Sequence, residues 1–158
     1  MEAVVASSMI DHLKSLHTSA IDARNGYREA LKDVEGKEAA SKVMMPLFRD
    51  MIALHDGHAA ELARELQKNN ELPDEGGSFM TTVHETIMDL RSMFDGLDES
   101  VLPGLIDGEK RNAAKYDDAL EAPGGLENLT ALLKRQRESL QKKIGMMETE
   151  RAASAHVS

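Results

Sequence analysis

The chain of 158 residues has the length of one domain, carries a formal net charge of −9 at pH 7 and contains no cysteine. The lack of cysteine excludes disulfides and thiolate metal ligands, and the acidic balance argues against binding to nucleic acid, which needs clustered lysine and arginine. No apolar stretch approaches the roughly 20 residues of a membrane span, and the first residues lack the basic start of a signal peptide. We therefore expect a cytoplasmic protein that contacts neither nucleic acid nor membrane. It is predicted to form a single domain over residues 1–158, with a core at about 6–151 and a frayed tail at 152–158.

Apolar residues at steps of three and four predict a first long helix from about Ala6 to Val34, which we expect Gly36 to end. A second helical pattern extends from about Lys37 to Asn69. Pro46 lies within it and has no backbone N–H, so this helix either bends at Pro46 or begins just before it. The stretch NNELPDEGGS at 69–78 is rich in turn-forming residues and predicts a loop.

Three further helices are predicted, a short one from about Phe79 to Phe94 and two long ones from about Glu99 to Leu120 and from about Leu126 to Arg151. The first and second long helices are joined by a short turn, as are the third and fourth, so each pair is expected to be antiparallel. The link between the second and third long helices is long enough to cross the bundle. The predicted fold is therefore all-α, a ferritin-like four-helix bundle with one long crossover that contains the short extra helix.

Several polar residues fall on the apolar seams of these helices, where a buried side chain without a partner costs roughly 1–3 kcal/mol. In chain order they are His17, Arg24, Tyr27, His55, His58, Glu65, Glu109, Tyr116 and Gln136. Asp22 and Glu29 are predicted to lie off the seam of the first helix. Gly57 is about 1 kcal/mol less favourable than alanine in a helix interior, and predicts a close approach of another helix beside the two histidines.

One interpretation of these polar residues is a metal site. Ferritin-like bundles with two metal ions use a Glu from each of two helices and Glu-x-x-His from each of the other two. Here the second helix offers His55 and His58, the third offers Glu109, and the predicted fourth helix contains no histidine. These three ligands suit one zinc, iron or manganese ion, and a complete two-metal centre is not expected.

The other interpretation is a buried polar network that fixes the register of the helices without chemistry. Arg24 would pair with Glu109, and the hydroxyl groups of Tyr27 and Tyr116 and the amide of Gln136 would complete the network. The sequence contains no phosphate-binding glycine loop, nucleophile elbow or zinc-protease motif. We therefore expect no catalytic or cofactor-binding residues and favour a protein without enzymatic activity.

Four stretches, in this order and spacing, resemble a bacterial ferritin-like four-helix-bundle family whose function is unknown. They are DARNGYREA (22–30), HDGHAAEL (55–62), GSFMTTVHETIMDL (77–90) and GEKRNAAKYDDAL (108–120). The resemblance extends from about Ile10 to about Met147 and implies a ferritin-like fold. It places nine residues at characteristic positions, namely Gly26, Tyr27, Ala30, His58, Glu61, Leu62, Gly108, Glu109 and Tyr116. Members often carry a histidine near the position of Ile144 and an acidic residue or arginine near that of His55, and both departures weaken a metal site carried over from the family.

Two functions remain open. The first is a non-catalytic, stress-associated bundle that acts by self-association or through a protein partner. The second is a metalloprotein that binds or oxidises iron, manganese or zinc, and a small-molecule sensor is a weaker third. A homodimer is expected because the short extra helix has an apolar face beyond what the bundle covers, formed by Met80, Val83, Ile87 and Phe94.

Overall fold

A computed structural model describes residues 6–35, 44–73 and 99–155, and these ranges contain helices and no strands. The four α-helices are α1 (Ser7–Glu35), α2 (Met45–Lys68), α3 (Leu102–Glu121) and α4 (Glu127–Ala155). One turn of 3-10 helix, Glu99–Val101, precedes α3. The four long helices of the prediction are confirmed. The predicted end of the first helix at Gly36 and the predicted short helix from Phe79 to Phe94, with its apolar face, lie outside the described residues.

The start of α2 decides between the two outcomes predicted for Pro46. The helix begins at Met45, so Pro46 occupies its first turn and no bend at proline is needed. Proline is well tolerated there because the first N–H groups of a helix have no partner within the helix. The amide of Phe48 then makes an early helical hydrogen bond, donating to the carbonyl oxygen of Met44 over 3.0 Å.

Two helix ends depend on local sequence. At the end of α2, Asn70 adopts a φ of 61°, and the amides of Asn70 and Glu71 bond the carbonyl oxygens of Gln67 (3.0 Å) and Leu66 (2.9 Å). This is the Schellman arrangement, which satisfies carbonyls left unpaired at a helix end. The helix α4 continues to Ala155, four residues beyond its predicted end at about Arg151. Alanine, which dominates this segment, is the best helix former.

Contacts between side chains give the directions of the helices. Arg24 pairs with Asp56, and Lys14, further back on α1, pairs with Glu71 beyond the end of α2, so α1 and α2 are antiparallel. The helices α3 and α4 also pack together, and further contacts join α1 to α3 and α2 to α4. Lys110 on α3 pairs with Glu148 on α4, and Asp117, further along α3, pairs with Arg137, further back on α4, so this second predicted pair is antiparallel too.

The helices α2 and α3 run in the same direction. His55 on α2 contacts Glu109 on α3, and His58, further along α2, contacts Tyr116, further along α3. Since both helices point the same way, the chain leaves α2 at one end of the bundle and enters α3 at the other. This is the connectivity expected of a bundle with one long crossover.

The core lies along the axis between the four helices. Its largest fully buried side chains are Phe48, Leu13, Ile21, Met44, Met51, Leu62, Leu66, Leu102, Ile106, Leu133 and Leu140. Methionine fills irregular gaps between helices well, which suits its use in this core. None of the helices in the described ranges has the length and low charge needed to cross a membrane.

A buried polar cluster as the candidate functional site

The interior of the bundle contains polar side chains at several levels along its axis. Six polar or charged residues among those described are at most 6% exposed, namely His17, Asp22, His55, His58, Glu109 and Gln136. Tyr27 and Tyr116, also buried, place their hydroxyl groups among them. Buried polar groups normally have hydrogen-bond partners, so the pairing of these atoms indicates what the cluster can do.

Glu109 on α3 is the centre of the cluster. His55 Nε2 on α2 lies 3.1 Å from both of its carboxylate oxygens, and the hydroxyl group of Tyr27 on α1 donates to Oε1 over 3.1 Å. The rings of Tyr27 and His55 stack with their centroids 6.0 Å apart and an angle of 13° between their planes. One carboxylate thus joins three helices.

The ionisation of this group follows from its surroundings. Burial raises the pKa of Glu109, but the neighbouring His55, which also donates a hydrogen bond, and hydrogen bonds from Tyr27 and Asn112 outweigh burial and hold that pKa below its usual value. Glu109 is therefore a carboxylate and accepts both hydrogen bonds, which places a proton on His55 Nε2. Burial, followed by the charge of Glu109 and the hydrogen bond to it, raises the pKa of Tyr27 well above its usual value, so Tyr27 is a neutral donor.

His58 lies beside this group without bonding to Glu109. Its ring meets those of His55 and Tyr116 edge to face, with both centroid distances 6.4 Å. Burial, and after it the neighbouring His55, lower the pKa of His58 to about 4, against the opposing effect of Glu61 and Glu109. His58 is neutral at pH 7, and its Nδ1 has no hydrogen-bond partner among the described residues.

A second set of hydrogen bonds connects α2, α3 and α4. The Tyr116 hydroxyl group donates to Gln136 Oε1 over 2.9 Å, and Gln136 Nε2 donates to Glu61 Oε1 over 3.2 Å and to the carbonyl oxygen of His58 over 3.4 Å. Glu61 also pairs with Arg135 at the surface. The set therefore extends from the buried Tyr116 to an exposed guanidinium group, and it anchors the backbone of α2 at His58.

The prediction that Arg24 pairs with Glu109 is wrong. Arg24 Nη1 bonds Asp56 Oδ1 over 3.0 Å, and 55% of the Asp56 side chain is exposed. The long side chain of Arg24 reaches the surface between α1 and α2, where its charge remains solvated. The oxygens of Glu109 are occupied by His55 and Tyr27 instead. The predicted network members Tyr27, Tyr116 and Gln136 do form hydrogen bonds inside the bundle.

The prediction that Asp22 lies off the packed face of α1 is also wrong, since only 2% of Asp22 is exposed. Burial raises its pKa to about 6, against the effect of Lys115 on α3, and its Oδ1 has no hydrogen-bond partner among the described residues. The physical reason is that α1 packs against both α2 and α3, so its buried arc is wider than a single seam.

Gly57 does not provide the close approach predicted beside the histidines. It is exposed, and a Cβ placed on it would meet no atom within 4 Å. Successive helical residues are about 100° apart, so Gly57 faces outward while His55 and His58 face inward. The predicted role within the bundle is therefore wrong.

The structure brings His55 and Glu109 into direct contact and places His58 next to them. Within the described ranges, however, no group of three histidine, cysteine, aspartate or glutamate side chains is arranged to hold a metal ion. The proton-bearing Nε2 of His55 is turned onto the carboxylate, so the donor atoms as arranged do not fit a metal. The role of these three residues as ligands remains a prediction.

Sequence reasoning did not assign Glu61 to the cluster. Glu61 follows His58 by three positions on α2, and this spacing puts both residues on the same side of the helix. That spacing is a signal that could have found it. Its partners Arg135 and Gln136 lie on α4, and nothing in the periodicity of α2 indicates which helix faces Glu61.

The fold and its interior define an all-helical protein built around a hydrogen-bonded polar cluster. The chain belongs to the family described as Domain of unknown function (DUF2383), whose model matches residues 8–122. The matched range contains Tyr27, His55, His58, Glu109 and Tyr116, whereas Gln136 lies beyond it. Comparison with curated proteins and with solved structures found no match.

Proposed function

We propose that this protein is a ferritin-like helical bundle that has no catalytic activity and acts by self-association or through a protein partner. The observation that carries the proposal is the pairing of Glu109. His55 Nε2 lies 3.1 Å from both carboxylate oxygens and Tyr27 bonds one of them, so the strongest donor and acceptor groups of the cluster satisfy each other. Groups paired in this way hold helices together, and a ligand that took the place of His55 or Tyr27 at Glu109 would have to break one of these contacts.

The geometry also gives the cluster a structural role. The His55–Glu109 contact joins α2 to α3, the two helices that run in the same direction on either side of the long connection. Apolar side chains alone tolerate sliding of one helix along another, whereas a buried hydrogen-bonded pair is satisfied in one register. We therefore assign to this cluster the selection of the helix arrangement, the best-attested use of a buried polar group.

Metal analysis of protein purified without a histidine tag tests the proposal. We expect less than about one equivalent of iron, manganese or zinc, because the ligand set of a two-metal bundle is incomplete. A chelator is expected to leave the melting temperature unchanged, since a ligand stabilises a fold only when it is bound. Stoichiometric metal that is lost in the His58→Ala variant would overturn the proposal.

The second candidate is a metalloprotein, favoured by one observation at His58. Its imidazole is neutral at pH 7, and its buried Nδ1 has no partner among the described residues, which leaves a potential ligand atom next to His55 and Glu109. On this alternative, zinc or manganese added to metal-free protein raises the melting temperature, and the increase disappears in Glu109→Gln. No change in the wild-type protein would exclude this alternative.

A further inference from the structure

One face of α2 is directed to solvent and has an unusual composition for an exposed helix. Asp50, Gly57 and Arg64 follow one another at intervals of seven residues, and Ala53 and Ala60 lie beside them. All five are exposed. We call these five residues the α2 outer face. Residues seven apart on a helix lie almost in line, so this face is a straight strip with an acidic and a basic residue at its two ends.

The charges at the two ends make the α2 outer face complementary to itself. Asp50 and Arg64 are each seven residues from Gly57, which corresponds to about 10.5 Å along the helix axis on either side. If a second α2 lies antiparallel across a two-fold axis at Gly57, Asp50 comes level with the partner's Arg64. By symmetry Arg64 comes level with the partner's Asp50, so the contact is made twice.

The contacts that Asp50 and Arg64 already make leave both residues able to form an ion pair with a second chain. Among the described residues Arg64 has no ion-pair partner, and Asp50 has only Lys143, with 3.6 Å between Oδ2 and Nζ. The Asp50 side chain remains 54% exposed in that pair. A carboxylate accepts hydrogen bonds at both oxygens, so Asp50 can contact an arginine without losing the lysine.

The middle of the α2 outer face permits close approach. Glycine is the least favourable residue in a helix interior apart from proline, and a Cβ at Gly57 would meet no atom within 4 Å, so the bundle itself gains nothing from the missing side chain. Ala53 and Ala60 lie beside Gly57, and their small side chains leave much of the α2 backbone on this face uncovered. Small side chains at a contact allow two helices to pack at the short end of the usual 8–10 Å range.

We propose that a second copy of this chain docks on the α2 outer face, with the two α2 helices antiparallel and the two-fold axis at Gly57. This inference rests on the proposed function, because it names the partner and the surface for self-association. A second copy is the occupant that the charges specify, since the opposite charges lie at equal distances from the same glycine.

Light scattering on the full chain tests the proposal, with a mass equal to two chains expected for the wild type. Gly57→Leu is expected to give a mass equal to one chain, because four added carbon atoms per chain would separate the helices. Gly145→Leu is the matched control, since Gly145 on α4 is also an exposed helical glycine with no atom within 4 Å of a Cβ. Leucine is a better helix former than glycine, so both variants are expected to fold.

Charge exchange tests the orientation of the two helices. Asp50→Arg alone places two pairs of like charges across the axis and is expected to weaken the dimer at least about tenfold. Arg64→Asp alone is expected to do the same. The double variant Asp50→Arg with Arg64→Asp restores both contacts in reverse and is expected to restore the dimer, a result that only an antiparallel pairing of these positions produces.

Each outcome separates this inference from the proposed function. A wild-type mass of one chain throughout the micromolar range would overturn the inference and leave a different protein as the partner. A dimer that survives Gly57→Leu and both single charge variants would overturn the α2 outer face as its surface. Stoichiometric metal in a dimer that Gly57→Leu dissociates would support the inference and overturn the non-catalytic function.

Discussion

His55 Nε2 lies 3.1 Å from both carboxylate oxygens of Glu109, although the two residues are 54 positions apart in the sequence and lie on different helices. Only 4% of each side chain is exposed. A charged group buried to this extent is stable only with its partner, because removing one member leaves the other desolvated and unpaired. The contact is therefore the part of the interior most sensitive to substitution.

Glu109→Ala is expected to lower the free energy of unfolding by about 2–5 kcal/mol, because it leaves two buried donors, His55 Nε2 and the Tyr27 hydroxyl group, without their acceptor. Urea denaturation at pH 7 measures it. The matched control is Asp56→Ala, which breaks the exposed contact with Arg24 and is expected to cost less than about 1 kcal/mol. Equal losses in the two variants would show that the His55–Glu109 pair is not a buried structural contact.

Acid is expected to destabilise the protein through His58. Its pKa is about 4 in the folded chain and about 6.5 when unfolded. Below pH 6.5 the unfolded state binds the proton and the folded state does not, so stability falls as the pH drops from 6.5 to 4, by at most about 3 kcal/mol. Urea denaturation at a series of pH values measures the slope, and His58→Gln should flatten it. An unchanged slope in that variant would contradict the assignment to His58.

Protonation of Asp22 is expected to have the opposite effect on the stability of the protein over much of the same pH range. Its pKa is raised to about 6 in the folded chain, so on acidification the folded state takes up the proton first and stability rises as the pH falls through 6. Asp22→Asn removes this compensation. The variant should be more stable than the wild type at pH 8, where Asp22 is a buried carboxylate, and should lose stability more steeply on acidification. A variant less stable than the wild type at pH 8 would show that Lys115 stabilises the Asp22 carboxylate more than burial destabilises it.

Two glycines are expected to respond oppositely to alanine. Gly124, in the turn between α3 and α4, has a φ of 87°, and a Cβ there would collide with the Cβ of Ala6, so Gly124→Ala should destabilise the protein. Gly145 lies inside α4 with open space around it, so Gly145→Ala should stabilise the protein by about 1 kcal/mol. Thermal denaturation of the two variants compares them directly, and a change of the same sign in both would contradict the local backbone argument.

The sequence was sufficient to predict the four described α-helices because each one has a buried side whose residues recur at helical spacing. It also identified His55, Glu109, Tyr27, Tyr116 and Gln136 as polar residues inside the bundle, since each interrupts an apolar seam. The pairing of these residues could not be predicted, because periodicity gives the inward direction of a side chain and not the helix that it meets.

The errors have a common physical cause. Arg24 and Asp22 lie at the margins of the buried arc of α1, where side-chain length and the position of a second neighbouring helix decide exposure. The long Arg24 reaches the exposed Asp56 and pairs with it, whereas the short Asp22 stays buried, close enough to Lys115 on α3 for that charge to lower its pKa. The prediction of a close helix approach at Gly57 inside the bundle was wrong because His55 and His58, its neighbours in sequence, lie on the other side of α2. A single apolar seam per helix does not capture these distinctions.

The hydrogen bond between Tyr116 and Gln136 is expected to show energetic coupling between α3 and α4. Gln136→Leu leaves the buried hydroxyl group of Tyr116 without its acceptor and should cost about 1–3 kcal/mol. In Tyr116→Phe that hydroxyl group is absent, so Gln136→Leu should cost less in this background. A double-mutant cycle measured by urea denaturation gives the difference, expected to be at least about 0.5 kcal/mol. Strict additivity would mean that the 2.9 Å contact contributes nothing to holding the two helices together, and that Gln136 acts only through Glu61 and the backbone of His58.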